Sequence, residues 1–496
     1  AWASAPTSDR RTAPGGRRAA GHPRDGARRA AAPEKEPNMR ITPLLRAVAA
    51  LACAAAVPAA AEDGRRWLAG DHHVHGEWSV DWDRSTTPPT PIRGGDSPYS
   101  RTRNARQALA HGLAWIVHTD HGGPGHSAVT RDHAWPALLQ ARREVPELVQ
   151  FNGMEFDVPG GEHASLIIAP GPAERDELVA IERDYGRAEP LQPGTREDGR
   201  LMLRALAHMR ALPAPPLVFV NHPSRSATGI GRWGQVEPVE LLAWHDAAPQ
   251  VLVGMEGAPG HQAAPERGLY RHAGAPTFGG FDQMTAEVGG VWDGMLAQGR
   301  RFWITATSDS HVNRRDGGRD FDPGEYSKTY VWARHEPADI LDAMRHGRMF
   351  AVTGDLVDAL ELTVRGPDGG DAATLGGTLR VPEGARLRVE LRLRQPAGPN
   401  ANGQRPRLDH VDLIVGARGP DGAPRMEVRR AGAGDWRRDG RWLSLSWEIA
   451  APAGGGFLRV RGSSTAEAEP QPDPPGEDPW QDLWFYSNPV FVRSGT

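Results

Sequence analysis

Residues 69–81 read AGDHHVHGEWSVD, and the rest of the chain is organised around them. Three histidines and three carboxylates stand in this stretch, which opens the first convincing strand. His73 and His75 are two positions apart. On a strand, residues i and i+2 face the same side, so a strand end can offer both imidazoles to one metal ion. Alone, an HxH is a weak signal and needs structural context. Its weight here comes from how the later strands end.

From Arg65 to Gly354, short apolar runs alternate with helical stretches. That is the β/α alternation of a parallel sheet or barrel. Leu113 to Val117 runs into His118-Thr119-Asp120-His121. Leu148 to Phe151 leads to Glu155, and Leu217 to Val220 leads to Asn221-His222-Pro223. Val251 to Val253 leads to Glu256, and Phe302 to Ile304 leads to Ser308-Asp309-Ser310-His311. Runs of this length fit strands buried on both faces. In parallel barrels the chemistry gathers at the C-terminal ends of the strands. A single His or acid after a strand is an ordinary solvated loop residue. Repetition after nearly every strand is not.

Helices are expected at 102–111, 200–211, 284–299 and 337–346. In the second, Leu203, Leu206 and Met209, with Met202 beside them, give a core stripe. Trp82 to Tyr99, rich in Thr, Pro and Gly, reads as a long loop beside the first motif. After Gly354 the patterning changes to alternating apolar and polar residues with Gly/Pro/Asp turns. The segments 360–364, 385–393, 411–415, 442–449, 456–460 and 484–492 read as half-buried antiparallel strands of a small β-sandwich.

In chain order the candidate site residues are His73, His75, Asp81, Asp120, His121, Glu155, His163, His222, Asp309 and His311. This order resembles the PHP (polymerase and histidinol phosphatase) family. Its HxH matches His73-Val74-His75 with Asp81 after it, and its TDH matches Thr119-Asp120-His121. Its HP matches His222-Pro223, and its SDxH matches Ser308-Asp309-Ser310-His311. Glu155 and His163 fall where the family has a glutamate and a following histidine. The match spans residues 66 to 354, and GDHHVH, HTDHGG and GMEGAPGHQ are similar to the secreted CehA/McbA-like branch. Many members place the acid five residues after the second histidine; Asp81 stands six after His75.

The resemblance implies a distorted barrel of seven β/α units with two to three divalent metal ions. It implies His73, His75, Glu155 and Asp309 for the first ion. Glu155, His163 and His222 would hold the second, with Glu155 bridging, and Asp81, His121 and His311 the third. Mixed imidazole and carboxylate donors suit Zn, Mn or Fe. Asp120, next to His121, is expected to accept a hydrogen bond that orients an imidazole. Such a site hydrolyses an ester with a metal-activated water, and a phosphorylated small molecule is the expected substrate. Arg225, in HPSRS, is a candidate phosphate clamp, as are Arg314 and Arg315. Two readings compete. One is hydrolysis of a carboxylic ester, amide or carbamate, with Trp78, Trp82 and Trp115 lining an apolar pocket. The other is a non-catalytic metal-binding protein.

Composition narrows the partners. With 39% hydrophobic and 24% charged residues the 496-residue chain is globular, and a net charge of −4 offers no polybasic footprint for nucleic acid. Residues 1–38 are rich in Ala, Arg, Gly and Pro and read as an untranslated or disordered leader. From Met39, a basic start, an apolar run from Leu44 and an Ala59-Ala60-Ala61 end read as a signal peptide. Translation is expected to begin at Met39. The mature protein is then secreted or periplasmic, without a transmembrane helix. The single cysteine, Cys53, falls within that run, so lipid anchoring through it is the second reading. The expected domains are therefore a metallohydrolase at 62–354 and an accessory β-sandwich at 355–496.

Overall fold

The computed structural model describes residues 63–495, apart from 192–193, 197, 225–235, 261–262 and 264–275. The leader, the signal-like run, Cys53, Arg225 and His261 lie outside the described residues.

The first part is mixed α/β. Its strands are β1 (Arg66–Val74), β2 (Trp115–His118), β3 (Val149–Asp157), β4 (His163–Ile168), β5 (Leu217–Val220), β6 (Leu252–Ala258), β7 (Trp303–Ala306), β8 (Ser327–Ala333) and β9 (Met349–Thr353). They pair in the order β7-β6-β5-β4-β3-β2-β1-β8-β9. Two parallel sets, β7-β6-β5 and β3-β2-β1, are joined through β4, which is antiparallel to both neighbours. β8 and β9 add antiparallel to β1 and to each other.

Among the described residues no backbone ladder closes this path into the expected barrel of seven β/α units. The free edge of β7 is satisfied by side chains instead. Thr329 Oγ1 on β8 accepts from Ala306 N and donates to Ala306 O, both at 2.8 Å. The Asn488 amide accepts from Ile304 N at 2.9 Å and donates to Ile304 O at 3.0 Å and to Met349 O at 3.2 Å. A buried edge strand must place its polar backbone groups somewhere, and here two side chains receive them.

The C-terminal strands are β10 (Ala359–Arg365), β11 (Thr378–Val381), β12 (Arg386–Arg394), β13 (His410–Arg418), β14 (Pro424–Gly432), β15 (Trp442–Ala450), β16 (Gly456–Ser463), β17 (Trp484–Ser487) and β18 (Val490–Ser494). β10, β12 and β15 are the core of a five-stranded antiparallel sheet. Along β12 the alternation is strict: Leu387, Val389, Leu391 and Leu393 are buried and the arginines between them are not. These leucines share a core with Val411, Leu413, Leu458 and Val460 of the facing strands. Those facing strands do not form a sheet of their own. β17 pairs with β9, β16 with β17 and β13 with β16, so the first sheet runs on across residue 354.

The expected helices form with adjusted limits. Arg101–Ala110 is capped by Ser100, whose hydroxyl accepts from Arg103 N at 3.1 Å. In Gly199–Ala211 the buried stripe is Met202, Ala205, Leu206 and Met209, while Leu203 is 38% exposed. Met202, Leu206 and Met209 are thus buried as expected, and Leu203 is the exception. The helix expected over 284–299 is broken into Gln283–Ala286 and Val291–Ala297, with Gly289 between them at φ +79°. The last expected strand divides at Asn488-Pro489, which frees the Asn488 side chain to turn inward. Among the described residues no helix is long and apolar enough to cross a membrane.

Candidate metal centre

The site is built where β1 ends. His73 and His75 project to one side, with their Nε2 atoms 3.0 Å apart. His72 alternates to the opposite face, where it stacks on Phe219 and meets Thr305 Oγ1 at 2.7 Å. Burial pushes the His72 imidazole down to about 4, so it is a neutral core histidine.

Glu155, fully buried on β3, is the hub. Its Oε1 lies 3.2 Å from His73 Nε2, 3.2 Å from His163 Nδ1 and 3.1 Å from His222 Nε2. Its Oε2 lies 3.0 Å from His121 Nδ1 and 3.3 Å from His75 Nε2. Five imidazoles therefore surround one carboxylate. Asp309 Oδ1 faces His73 Nε2 at 3.1 Å and His75 Nε2 at 3.2 Å. The expected first ligand set, His73, His75, Glu155 and Asp309, is thus drawn together, its donor atoms within 4.8 Å of one another.

Two further groups of donors adjoin it. One is His121, Glu155 and His163. His222, expected in this second set, touches the same Glu155 oxygen, but His121 is the residue that completes the group. The other group is His75, Asp96, His121 and His311. Its carboxylate is Asp96 and not Asp81. Asp81 is exposed and starts a short hairpin, Asp81–Asp83 with Thr90–Ile92, whose return leads through Gly94-Gly95 to Asp96. The loop 82–99 is therefore part of the centre. Nothing local to Asp96 marked it, because the hairpin is what carries it back to the HxH motif. Asp96 Oδ2 lies 3.3 Å from His311 Nε2 and accepts from Ser79 Oγ at 2.7 Å.

Two site residues hold strained backbone. His222 has φ +28° and Asp309 has φ +48°. Non-glycine residues in this region cost of order 1 kcal/mol or more each, and they persist where the surroundings over-determine them.

Behind the donors stands a layer of orienting groups. Glu256 Oε1 meets His73 Nδ1 at 2.6 Å, accepts from Thr307 Oγ1 at 2.8 Å, and through Oε2 accepts from His222 N at 2.7 Å. Ser79 Oγ faces His75 Nδ1 at 3.1 Å, and Asp157 Oδ1 lies 3.4 Å from His163 Nε2. Asn221 donates to Glu155 Oε1 at 3.0 Å. Carboxylates placed behind imidazoles fix ring orientation and raise donor basicity. Asp120 does something else: it accepts from Gly76 N and from Arg101 Nη2, both at 2.6 Å, and so pins the turn after His75. It bonds no imidazole in these contacts. Glu256→Gln is expected to lower metal affinity roughly 10–100-fold while leaving the fold intact. Titration of the purified protein against a chromogenic chelator checks this.

The electrostatics are those of a site built for cations. Burial opposes charge on every group. Even so, Asp309, Glu155 and Glu256 hold His73 well above the ordinary imidazole value, and Glu155 and Asp157 do the same for His163. The surrounding imidazoles hold Glu155 well below the carboxylate range. Two ring nitrogens 3.0 Å apart, both against carboxylate oxygens, fit a shared cation better than any arrangement of protons. Glu155 Oε2 and His163 Nδ1 are buried and make no hydrogen bond. The residues present therefore fit bound divalent ions.

The centre is sealed at one end and open at the other. The His73, His75, Glu155 and Asp309 side chains are at most 2% exposed, whereas His121 is 27% and Asp96 32% exposed. Arg225 lies outside the described residues. Arg314 and Arg315 both turn to Glu325, at 3.5 Å and 2.6 Å. Trp115 is wholly buried in the core, its Nε1 donating to Leu68 O.

Beside the open end, His126 is buried between Glu182 Oε1 at 2.6 Å and Trp78 O at 2.9 Å. Burial disfavours its charge, but the Glu182 carboxylate outweighs this and raises it to about 9. A raised value stabilises the fold fully below the unfolded imidazole value near 6.5, and the gain is lost as pH rises through 9. Unfolding free energy is expected to fall by about 3 kcal/mol between pH 6.5 and 9.5. His126→Gln should flatten that slope in urea titrations across the window.

No protein-family model matches the chain, and no curated protein matches it.

Proposed function

We propose that this protein is a metal-dependent hydrolase of the PHP type, cleaving a phosphate ester at a cluster of two or three divalent ions, and that it works outside the cytoplasm. The observation that carries the reading is Glu155, one buried carboxylate whose two oxygens face five imidazoles. Ions held there would acidify a water and polarise the ester oxygen. The chain's own part is to hold donors rigidly and to grade the site from sealed to open. With both oxygens facing imidazoles, Glu155 is placed to bridge two ions. At the open end the donors are mostly imidazoles. They bring no negative charge, so positive charge there is left uncompensated and favours a phosphate dianion over a neutral ester.

A second reading, hydrolysis of an aryl carboxylic ester or carbamate, draws on Trp82. Its indole packs against Gly123, two residues beyond His121, so closely that a Cβ on Gly123 would lie 2.2 Å from Nε1. Elemental analysis of protein starting at Glu62, with Asp309→Ala as control, is the first test. Assays on p-nitrophenyl phosphate, bis-p-nitrophenyl phosphate and p-nitrophenyl acetate follow on the same sample. Two to three ions with phosphate cleavage, both reduced in the control, are the expected result. Cleavage of the acetate alone moves the assignment to the second reading, and the absence of stoichiometric metal ends both.

A further inference from the structure

Most of the arginines displayed by the C-terminal strands are matched to carboxylates. Arg392 meets Glu361 at 2.7 Å, Arg394 meets Asp358 at 2.5 Å, and Arg430 meets Asp412 at 2.8 Å. Four arginines break that pattern together. Arg380 on β11 and Arg493 on β18 are direct neighbours in the register of a parallel pair, and both are exposed. Like charges placed opposite each other destabilise a strand pair. Arg301, just before β7, and Arg418, at the end of β13, lie beside them. Arg301, Arg418 and Arg493 line one cleft of about 270 Å³, with Thr378, Phe491 and the glycines 454–456 among its walls.

No aspartate or glutamate lines this cleft. None of the four arginines has a carboxylate partner among the described residues. Arg301 is held in place by neutral acceptors, Gly376 O at 2.5 Å and Thr378 Oγ1, and its guanidinium lies 5.1 Å from the centre of the Phe491 ring. Burial, and then repulsion from Arg493, lower its affinity for its own proton. A guanidinium fixed by neutral groups and turned toward two other cations is short of an anion, not of a packing partner.

We propose that this cleft binds a small soluble polyanion carrying two phosphate or sulfate groups. Guanidinium forks match tetrahedral oxyanions through paired hydrogen bonds. Three positive charges in the cleft, with Arg380 beside Arg493, call for two such groups. The cleft is at the small end of ligand-pocket sizes, which suits a compact molecule. None of the metal-centre residues lines it, so the site stands whether or not the hydrolase reading does.

The test uses the full metal-loaded chain at low salt. Ethane-1,2-disulfonate and ethanesulfonate are the probes, because sulfonates are inert to hydrolysis and weak metal ligands. Calorimetric titration is expected to show at least tenfold tighter binding of the disulfonate, with a matching rise in Tm. In Arg301→Gln/Arg493→Gln the preference should vanish, with metal content unchanged. Arg493→Gln alone, which leaves the Arg301 contacts in place, should be no less stable than the parent when unliganded, because a repulsion has been removed. Equal binding of the two sulfonates, or a preference that survives in the variant, overturns the proposal. A marked loss of stability in unliganded Arg493→Gln also overturns it, assigning that arginine to the fold. Binding to phosphatidylglycerol vesicles without binding of the disulfonate would replace the soluble ligand with a membrane headgroup.

Discussion

Replacing Glu155 with alanine is expected to remove metal and hydrolysis together. Loss of one peripheral ligand leaves its neighbours able to hold the remaining ions, but Glu155 belongs to two of the three donor groups. Its two oxygens also lie within 3.3 Å of five imidazoles. Catalysis should fall on the order of a thousandfold or more, about 4 kcal/mol of barrier. Glu155→Gln, of the same shape, should recover little, because an amide brings no charge and turns a donor toward the rings. Elemental analysis with turnover on the same sample measures both. Two companions give the experiment its resolution. Asp96→Ala should lose about one ion of the cluster. Asp81→Ala, on the exposed hairpin, should keep its metal content and its rate within about twofold, as a surface substitution does. If Asp81→Ala loses metal and Asp96→Ala does not, the placement of the loop is wrong.

Asp293→Ala is expected to be the most destabilising substitution away from the centre. Arg459, on β16, is wholly buried and makes a bidentate pair with Asp293 at 2.7 and 2.8 Å. The Asp293 carboxylate also accepts from Gly289 N at 2.8 Å. The guanidinium lies 4.7 Å from the Trp292 ring and 5.9 Å from that of Tyr486. Removing one partner of a buried pair leaves an uncompensated charge, at a cost of about 3–5 kcal/mol. Asp293→Leu/Arg459→Met, which removes both charges, should recover most of that loss. Urea unfolding of the three proteins decides. An Asp293→Ala value below about 1 kcal/mol would mean that water reaches the pair.

The parts of the centre that the sequence revealed are those where geometry is local. HxH places two donors two residues apart on a strand, and the extended backbone turns both to the same side; DxH lies just beyond β7, where Asp309 is left-handed, so there the motif marked the residues but not their geometry. Glu155 and His222 were legible because each closely follows an apolar run that could only be a buried strand. Asp96 was not legible. Its position depends on a hairpin that returns the chain over fifteen residues, and Asp81 lay nearer in sequence. The role of Asp120 was misread for a similar reason: adjacency to His121 suggested an imidazole partner, while the fold offered Arg101 and the Gly76 amide. In the fold, alternation correctly marked most of the C-terminal strands. It could not show that they continue the first sheet, since pairing between β9 and β17 leaves no local trace. The closing of β7 by Thr329 and Asn488 was equally hidden, because a polar side chain in a buried strand looks like a defect until its partner is known.

That arrangement has a consequence for how the protein is made. Phe350 on β9 pairs with Ser487, and Asn488 holds Ile304 and Met349 together. A ribosome delivers the β9 edge long before it delivers the strand that covers it, and such long-range pairing is slow to form. Until residues 485–487 emerge, β9 stands as a bare edge, the kind that recruits strands from other chains. Asp309 lies three residues beyond β7, so the cluster's last carboxylate rests on a strand whose edge is finished only when Asn488, 184 residues after Ile304, has been made. A nascent chain of this protein therefore needs protection along its whole length, and any truncation near the C-terminus should be felt first at the metal centre.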